Sequence, residues 1–151
     1  MYQTWLDFHR ATLLGKCSGL GAKELKTAST EPSNLTLLGL VRHMAQVERW
    51  WFRTSFAGQD VESLYSTDEW PDAEFEDLGA ADPTVDLAVF WDECRLADEA
   101  VASAGLDDTF VSRRGHDISL RWVYVHMIEE YARHNGHADL IRERIDGAVG
   151  D

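Results

Sequence analysis

The sequence predicts an all-α protein, a four-helix bundle with a long acidic crossover between its second and third helices. Three observations carry that expectation. Four segments of the 151-residue chain repeat apolar residues at helical spacing. The connection between the second and third, residues 57–82, holds nine acidic residues and no Lys, Arg or His. A connection of that length suits a bundle with a crossover rather than one with tight hairpins only. Histidines and carboxylates also fall on faces that should be apolar, as they do where facing helices hold a ligand between them.

The first helix is expected over Tyr2–Cys17, with apolar residues at 2, 5, 6, 13 and 17, and the Ser18-Gly19 pair ends it. His9 falls on its inner face, either as a hydrogen-bonded core-edge histidine or near a site. Residues 18–34 read as a connector with one helical turn around Ala22–Lys26, closed by the turn cluster Glu31-Pro32-Ser33-Asn34. The second helix is expected over Leu35–Phe56. Leu37, Leu40, Val41, Met44, Val47 and Trp51 make its stripe, with Arg42, Gln46, Arg49 and Arg53 opposite. His43 lies at the border of the stripe. Glu48 lies within about 40° of its centre, where a hydrophobe would be expected.

The acidic crossover reads as a solvated face anchored by Trp70 and Phe75. Pro83 suits the first turn of a third helix that runs to Ala104 before Gly105. Its apolar set is Val85, Ala88, Val89, Trp91, Leu96, Ala100 and Val101. Residues 106–118 contain Arg113-Arg114-Gly115-His116-Asp117, a turn or hairpin whose arginines either bind an anionic group or stay solvated.

The last helix is the most informative. Over Ser119–Arg144, with Ser119 as N-cap, the residues Leu120, Val123, Met127, Tyr131, Ala138, Ile141 and Ile145 form one stripe. His134 projects within about 20° of the stripe centre and Glu130 within about 60°. His126 and His137 flank it. A carboxylate on a core face needs a partner, so something must neutralise it.

Composition narrows the function classes. At 151 residues the chain makes one domain, 1–151, with a real core. A net charge of −13 argues against nucleic acid and anionic membrane surfaces. There is no membrane-spanning apolar run and no signal-peptide pattern. Cys17 and Cys94 make a poor disulfide framework, so buried inert thiols in a reducing cytoplasm are expected. No dinucleotide fingerprint, P-loop, CxxC pair or serine nucleophile elbow is present.

The physical proposal is a divalent metal held by His43, Glu130 and His134. Glu130 and His134, at i and i+4, leave adjacent turns in one direction, and His43 approaches from a neighbouring helix. Two imidazoles and a carboxylate suit Zn, Ni, Fe(II) or Mn and leave coordination positions open. The alternative is a buried ion pair, in which one histidine is protonated against Glu130 or Glu48. Spacing does not choose among His126, His134 and His137 by itself. His134 is the most inward, and the other two suit outer or pocket-rim positions.

Two stretches, LTLLGLVRHMAQVERWWF at 35–52 and SLRWVYVHMIEEYARHNGHADLIRERIDGAVGD at 119–151, resemble the DinB superfamily of small bacterial four-helix proteins. The nearest likeness is its uncharacterised actinobacterial branch, labelled mini-circle-protein-like. The resemblance spans nearly the whole chain and implies an up-down-down-up bundle with a divalent metal, Zn first. It places the ligands on His43, Glu130 and His134, with Gly136 two positions beyond. The commonest pattern has His where this chain has Glu130; the related mycothiol-dependent maleylpyruvate isomerases carry a similar Glu. Other members resemble bacillithiol or glutathione transferases, so the resemblance implies a thiol cofactor such as mycothiol.

The expected function is therefore a metal-dependent thiol transferase or isomerase acting on a small molecule. Glu48 and His137 are the candidate proton-transfer or outer groups, and Trp50, Trp51 and His126 the candidate pocket. Metal-assisted hydrolysis and a non-catalytic metal-binding or stress protein are the alternatives. A homodimer through other helix faces remains compatible with the acidic crossover.

Overall fold

A computed structural model describes residues 1–150. The protein is mostly helical: α1 (Tyr2–Cys17), the short α2 (Ala22–Leu25), α3 (Leu37–Glu48), the short α4 (Ala73–Glu76), α5 (Pro83–Val101) and α6 (Leu120–Asp146). Two short antiparallel strands, β1 (Thr109–Val111) and β2 (Asp117–Ser119), precede α6 with Phe110 opposite Ile118. Their turn, Ser112 to His116, is closed by a 2.8 Å bond from the Ser112 N–H to the His116 carbonyl. Gly115 sits there at φ +78°, a conformation glycine adopts without strain.

Side-chain oxygens start the long helices. Thr36 Oγ1 accepts from Gly39 N at 2.9 Å, Asp82 Oδ1 from Thr84 N at 2.9 Å, and Ser119 Oγ from Trp122 N at 3.2 Å. Gly147, at φ +79°, ends α6. Beyond Glu48, α3 continues as a π-helical stretch, Arg49–Phe56. The wider π turn breaks the 3.6 periodicity and re-aims Trp50, Trp51 and Phe52.

Helix α1 packs on α6, α3 on α5, and α3 also meets α1 and α6. The core between them includes Leu6, Leu13, Leu40, Met44, Phe90, Met127 and Tyr131, all fully buried. Each such side chain contributes about 1.5–3 kcal/mol of apolar burial.

The expected stripe of α5 is misplaced. Val85 and Trp91 are each 57% exposed, whereas Asp86, Phe90, Glu93, Cys94 and Ala97 are buried. The reason lies on α3, where Arg42 is buried and Arg49 and Arg53 are mostly covered rather than solvated. Glu93 accepts from Arg49 at 2.6 Å and from Arg53 at 2.8 Å, and Arg42 approaches Asp86 at 3.8 Å. Burial raises the Glu93 carboxyl, but the bonds and charges of the two arginines outweigh it and hold it below its ordinary value. The arginines opposite the expected α3 stripe and the acids of α5 form one interface.

The acidic crossover is likewise more than a solvated strand of chain. It feeds backbone carbonyls of Glu62 and Asp77 to Arg49 and Arg42, at 2.7 and 2.6 Å, and lays Tyr65 against the Arg42 guanidinium. Phe75 anchors it against His43. Trp70, expected to anchor it, stays 43% exposed and donates to Glu76 instead.

Candidate metal centre

His43 rises from the middle of α3, and Glu130 and His134 leave consecutive turns of α6. Their ligand atoms all lie within 4.8 Å of one another, and all three side chains are half-buried. The His43 and His134 rings meet edge to face at 4.8 Å, and His134 Nε2 lies 3.5 Å from Glu130 Oε2. Ligands about 2.1 Å from a shared ion sit about 3.4 Å apart in a tetrahedral site, so the three need only draw slightly together.

The donor chemistry fits a divalent cation. Burial, then the neighbouring His43, His137 and Arg133, push the His134 imidazole down to about 4, so it is neutral with a lone pair at physiological pH. That argues against the alternative in which His134 is a protonated partner of Glu130. Each imidazole also has its other nitrogen engaged. His43 Nδ1 meets Glu74 Oε1 at 3.4 Å, and His134 Nδ1 meets His137 Nδ1 at 3.3 Å. Both Nε2 atoms are thereby left for a ligand, the arrangement in which an outer partner orients a metal-binding histidine.

Glu74 escaped sequence reasoning. It lies in α4 within the acidic run, where nothing distinguishes it from its solvated neighbours; yet it is buried, and its Oε2 has no partner. Phe75, which packs on His43 at 5.0 Å between ring centroids, was the only sequence signal that this turn reaches inward.

The flanking candidates separate. His126 Nε2 lies 3.5 Å from Glu130 Oε1, and its ring stacks on Trp122 at 4.9 Å and meets Trp51 edge-on at 4.7 Å. His126, Trp51 and Trp122 form an aromatic wall beside Glu130. Trp50 shares a cleft with Trp51 and Trp122, one that His126 does not line. It lies under the Arg113 guanidinium, 4.4 Å from the ring centroid, and lines clefts on the hairpin side. His9 takes a hydrogen-bonded core-edge position, its carbonyl accepting from Asn135 Nδ2 at 3.1 Å.

Glu48 does not join the triad. Its carboxylate is fully buried and bound by Arg10 through both oxygens, Nε to Oε1 at 2.7 Å and Nη2 to Oε2 at 2.8 Å. Tyr131 donates to the same Oε1 at 2.8 Å, and burial next to that charge holds the Tyr131 hydroxyl well above its ordinary value. A carboxylate so fully committed is poorly suited to the proton transfer expected of Glu48. Arg10 also escaped sequence reasoning; its spacing, four residues after Leu6 and three before Leu13, marks it as inward on α1 but does not name its partner.

A solved structure, that of a conserved protein of locus from Enterococcus faecalis, shares this fold. It is 13% identical, with a TM-score of 0.72 over 97% of this chain and 96% of that one. No protein with a curated description matches the chain. The profile of the mycothiol-S-transferase family matches residues 1–147. The two helices that carry His43, Glu130 and His134, the helical architecture and this match agree: the chain belongs to the mycothiol-S-transferase family of the DinB superfamily.

Proposed function

We propose that the protein is a metal-dependent transferase or isomerase that uses a low-molecular-weight thiol, mycothiol first. It does so as one domain, 1–151, in which α1, α3 with its π-helical extension, α5 and α6 form an up-down-down-up bundle. The packing of α1 on α6 and α3 on α5, joined by the long 57–82 connection, supports that topology. The observation that carries the functional reading is the convergence of two imidazoles and a carboxylate within 4.8 Å in a chain of this family.

A divalent ion held by His43, Glu130 and His134, Zn first with Ni, Fe and Mn compatible, supplies a Lewis acid that makes a thiol a thiolate near neutral pH. The protein's own groups set the rest. Glu130 brings the one negative charge of the triad, and Glu74 and His137 hold the two imidazoles in the tautomer that presents Nε2. His137 Nδ1 accepts from the His134 Nδ1–H that this tautomer requires, so the His137 hydrogen sits on Nε2; His137 acts as an outer orienting group and the thiol proton passes to solvent. The wall of Trp51, Trp122 and His126 limits water beside Glu130. The Arg10–Glu48–Tyr131 network keeps α1, α3 and α6 in register and stays out of the chemistry.

A cytoplasmic setting suits this reading, since Cys17 and Cys94 are both free and buried. Among the described residues no helix is long and apolar enough to cross a membrane.

The test begins with metal content of wild type and His134→Ala, followed by mycothiol-dependent turnover of a panel of electrophiles. One divalent ion per chain that His134→Ala loses, with turnover that requires both metal and thiol, is the expected result. Turnover without thiol would replace this reading with metal-assisted hydrolysis. A wild type that takes up no Zn, Ni or Fe(II) would sink both and leave a non-catalytic protein.

A further inference from the structure

One wall of the metal centre is shared with a cleft that the triad does not explain. The cleft, about 490 Å³, has Trp50, Trp51 and Trp122 for its apolar side, and the β1–β2 turn presents Arg113, Arg114 and His116 to it. That volume is in the range of small-molecule sites. No Asp or Glu lines it, in a chain with 27 acidic and 14 basic residues. Elsewhere most arginines of this protein find carboxylates: Arg10, Arg42, Arg49, Arg53, Arg95, Arg121, Arg133 and Arg142 all do, while Arg144 donates to the Ser29 carbonyl. Among the described residues, Arg113 and Arg114 form no such pair; Arg113 lies over Trp50 instead.

The turn is built to present them. The Ser112–His116 bond and left-handed Gly115 fix a tight loop, so two guanidinium groups and an imidazole project from adjacent positions of a short hairpin. That hairpin is tied to the start of α6 by bonds from Leu120 N to Asp108 O and Arg121 N to Leu106 O, both 2.9 Å. The connection to the metal centre is direct. Trp51 and Trp122 line the cleft, and the same two rings pack on His126, which reaches Glu130.

We propose that this cleft is the subsite for the electrophilic acceptor, and that the acceptor is an apolar or aromatic molecule carrying a carboxylate. The proposal rests on the thiol-transfer reading above and adds the chemical class of the second substrate. The carboxylate pairs with Arg113 and Arg114, whose planar donors match its geometry. The apolar body lies on Trp51 and Trp122, with its reactive end toward Glu130. The thiol, held at the triad, needs no charge on this side.

The experiment compares trans-cinnamate with cinnamamide, which has the same body without the charge. Binding to the metal-loaded protein is read by tryptophan quenching. Cinnamate is expected to bind at least about tenfold tighter, the effect of one charge-assisted pairing. Arg113→Ala/Arg114→Ala should erase that preference and leave cinnamamide binding within about twofold. Both arginines are exposed, so the variant should fold, and an unchanged far-ultraviolet circular dichroism spectrum checks it. Equal affinities, a preference that survives the double substitution, or no binding of either compound would overturn the proposal. Metal-free His134→Ala separates it from the transferase reading. If charge-dependent cinnamate binding persists there while wild type shows no mycothiol turnover, the anion cleft stands and the transferase reading falls. If wild type turns over electrophiles with mycothiol but shows no preference for carboxylates, the reverse holds.

Discussion

Two carboxylates, Glu74 and Glu48, are both buried and do different work because of what faces them. Glu74 has a histidine at 3.4 Å and an unpartnered second oxygen; Glu48 has an arginine on both oxygens. Glu74→Ala is accordingly expected to weaken metal affinity about 10- to 100-fold, as loss of an outer partner of a ligand histidine does, with little change in helix content. Metal titration with and without the substitution measures this. Arg10→Met should act on stability instead. It strands Glu48 at zero exposure, so a loss of about 3–5 kcal/mol is expected in urea unfolding. His134 gives a pH signature in the metal-free protein. Its imidazole is pushed down to about 4 when folded, while the unfolded chain takes up the proton near 6.5. The unfolded state therefore binds more protons in that window, and stability must fall as pH drops from about 6.5 toward 4. Wild type should lose more stability than His134→Gln across that range, measured by denaturant midpoints at each pH.

At the scale of elements, α6 shows how one helix serves packing and chemistry together. Tyr131, Ala138 and Ile141 go to the core, while Glu130, His134 and His137 lie on the adjoining strip, half-buried. Gly136 sits beside that strip in mid-helix, and a Cβ there would meet nothing within 4 Å. No close approach requires glycine at this position. Gly136→Ala should stabilise the protein by about 0.5–1 kcal/mol through helix propensity alone, with metal content unchanged. A raised denaturation midpoint checks it. The α3–α5 pair teaches a different lesson. The expected apolar set of α5 left out the face that carries Asp86 and Glu93; their pairing with Arg42, Arg49 and Arg53 is what lets that face be buried.

For the whole molecule, the metal centre bridges α3 and α6, elements far apart in sequence, so occupancy should couple to global stability. At an ion concentration about 100 times the dissociation constant, binding adds about 2.7 kcal/mol. In a chain of this size that raises the melting temperature by about 5–10 °C. Chelation should reverse the rise in wild type and leave His134→Ala unmoved, read by thermal melts. The shell around the centre comes from three parts of the chain: the crossover supplies Glu74, the π-helical stretch Trp51, and α6 the rest.

Local sequence was enough for the long helices and for the inward face shared by Glu130 and His134. Spacing alone left His126 and His137 as rivals, and it is the tertiary structure that brings the ligand atoms of His43, Glu130 and His134 within 4.8 Å. Helical periodicity, the Ser119 cap and Pro83 in a first turn are properties of neighbouring residues, and the i, i+4 spacing of Glu130 and His134 is set by helix geometry. His43 was legible as a border residue of its stripe. What the sequence could not determine is which charges meet across the interior. Glu48 with Arg10, Glu93 with Arg49 and Arg53, and Glu74 with His43 are separated by 31 to 44 residues. Whether a carboxylate is solvated, structural or an outer partner of a metal ligand depends on the group brought against it. That group is chosen by the packing of whole helices, so only the tertiary structure decided it.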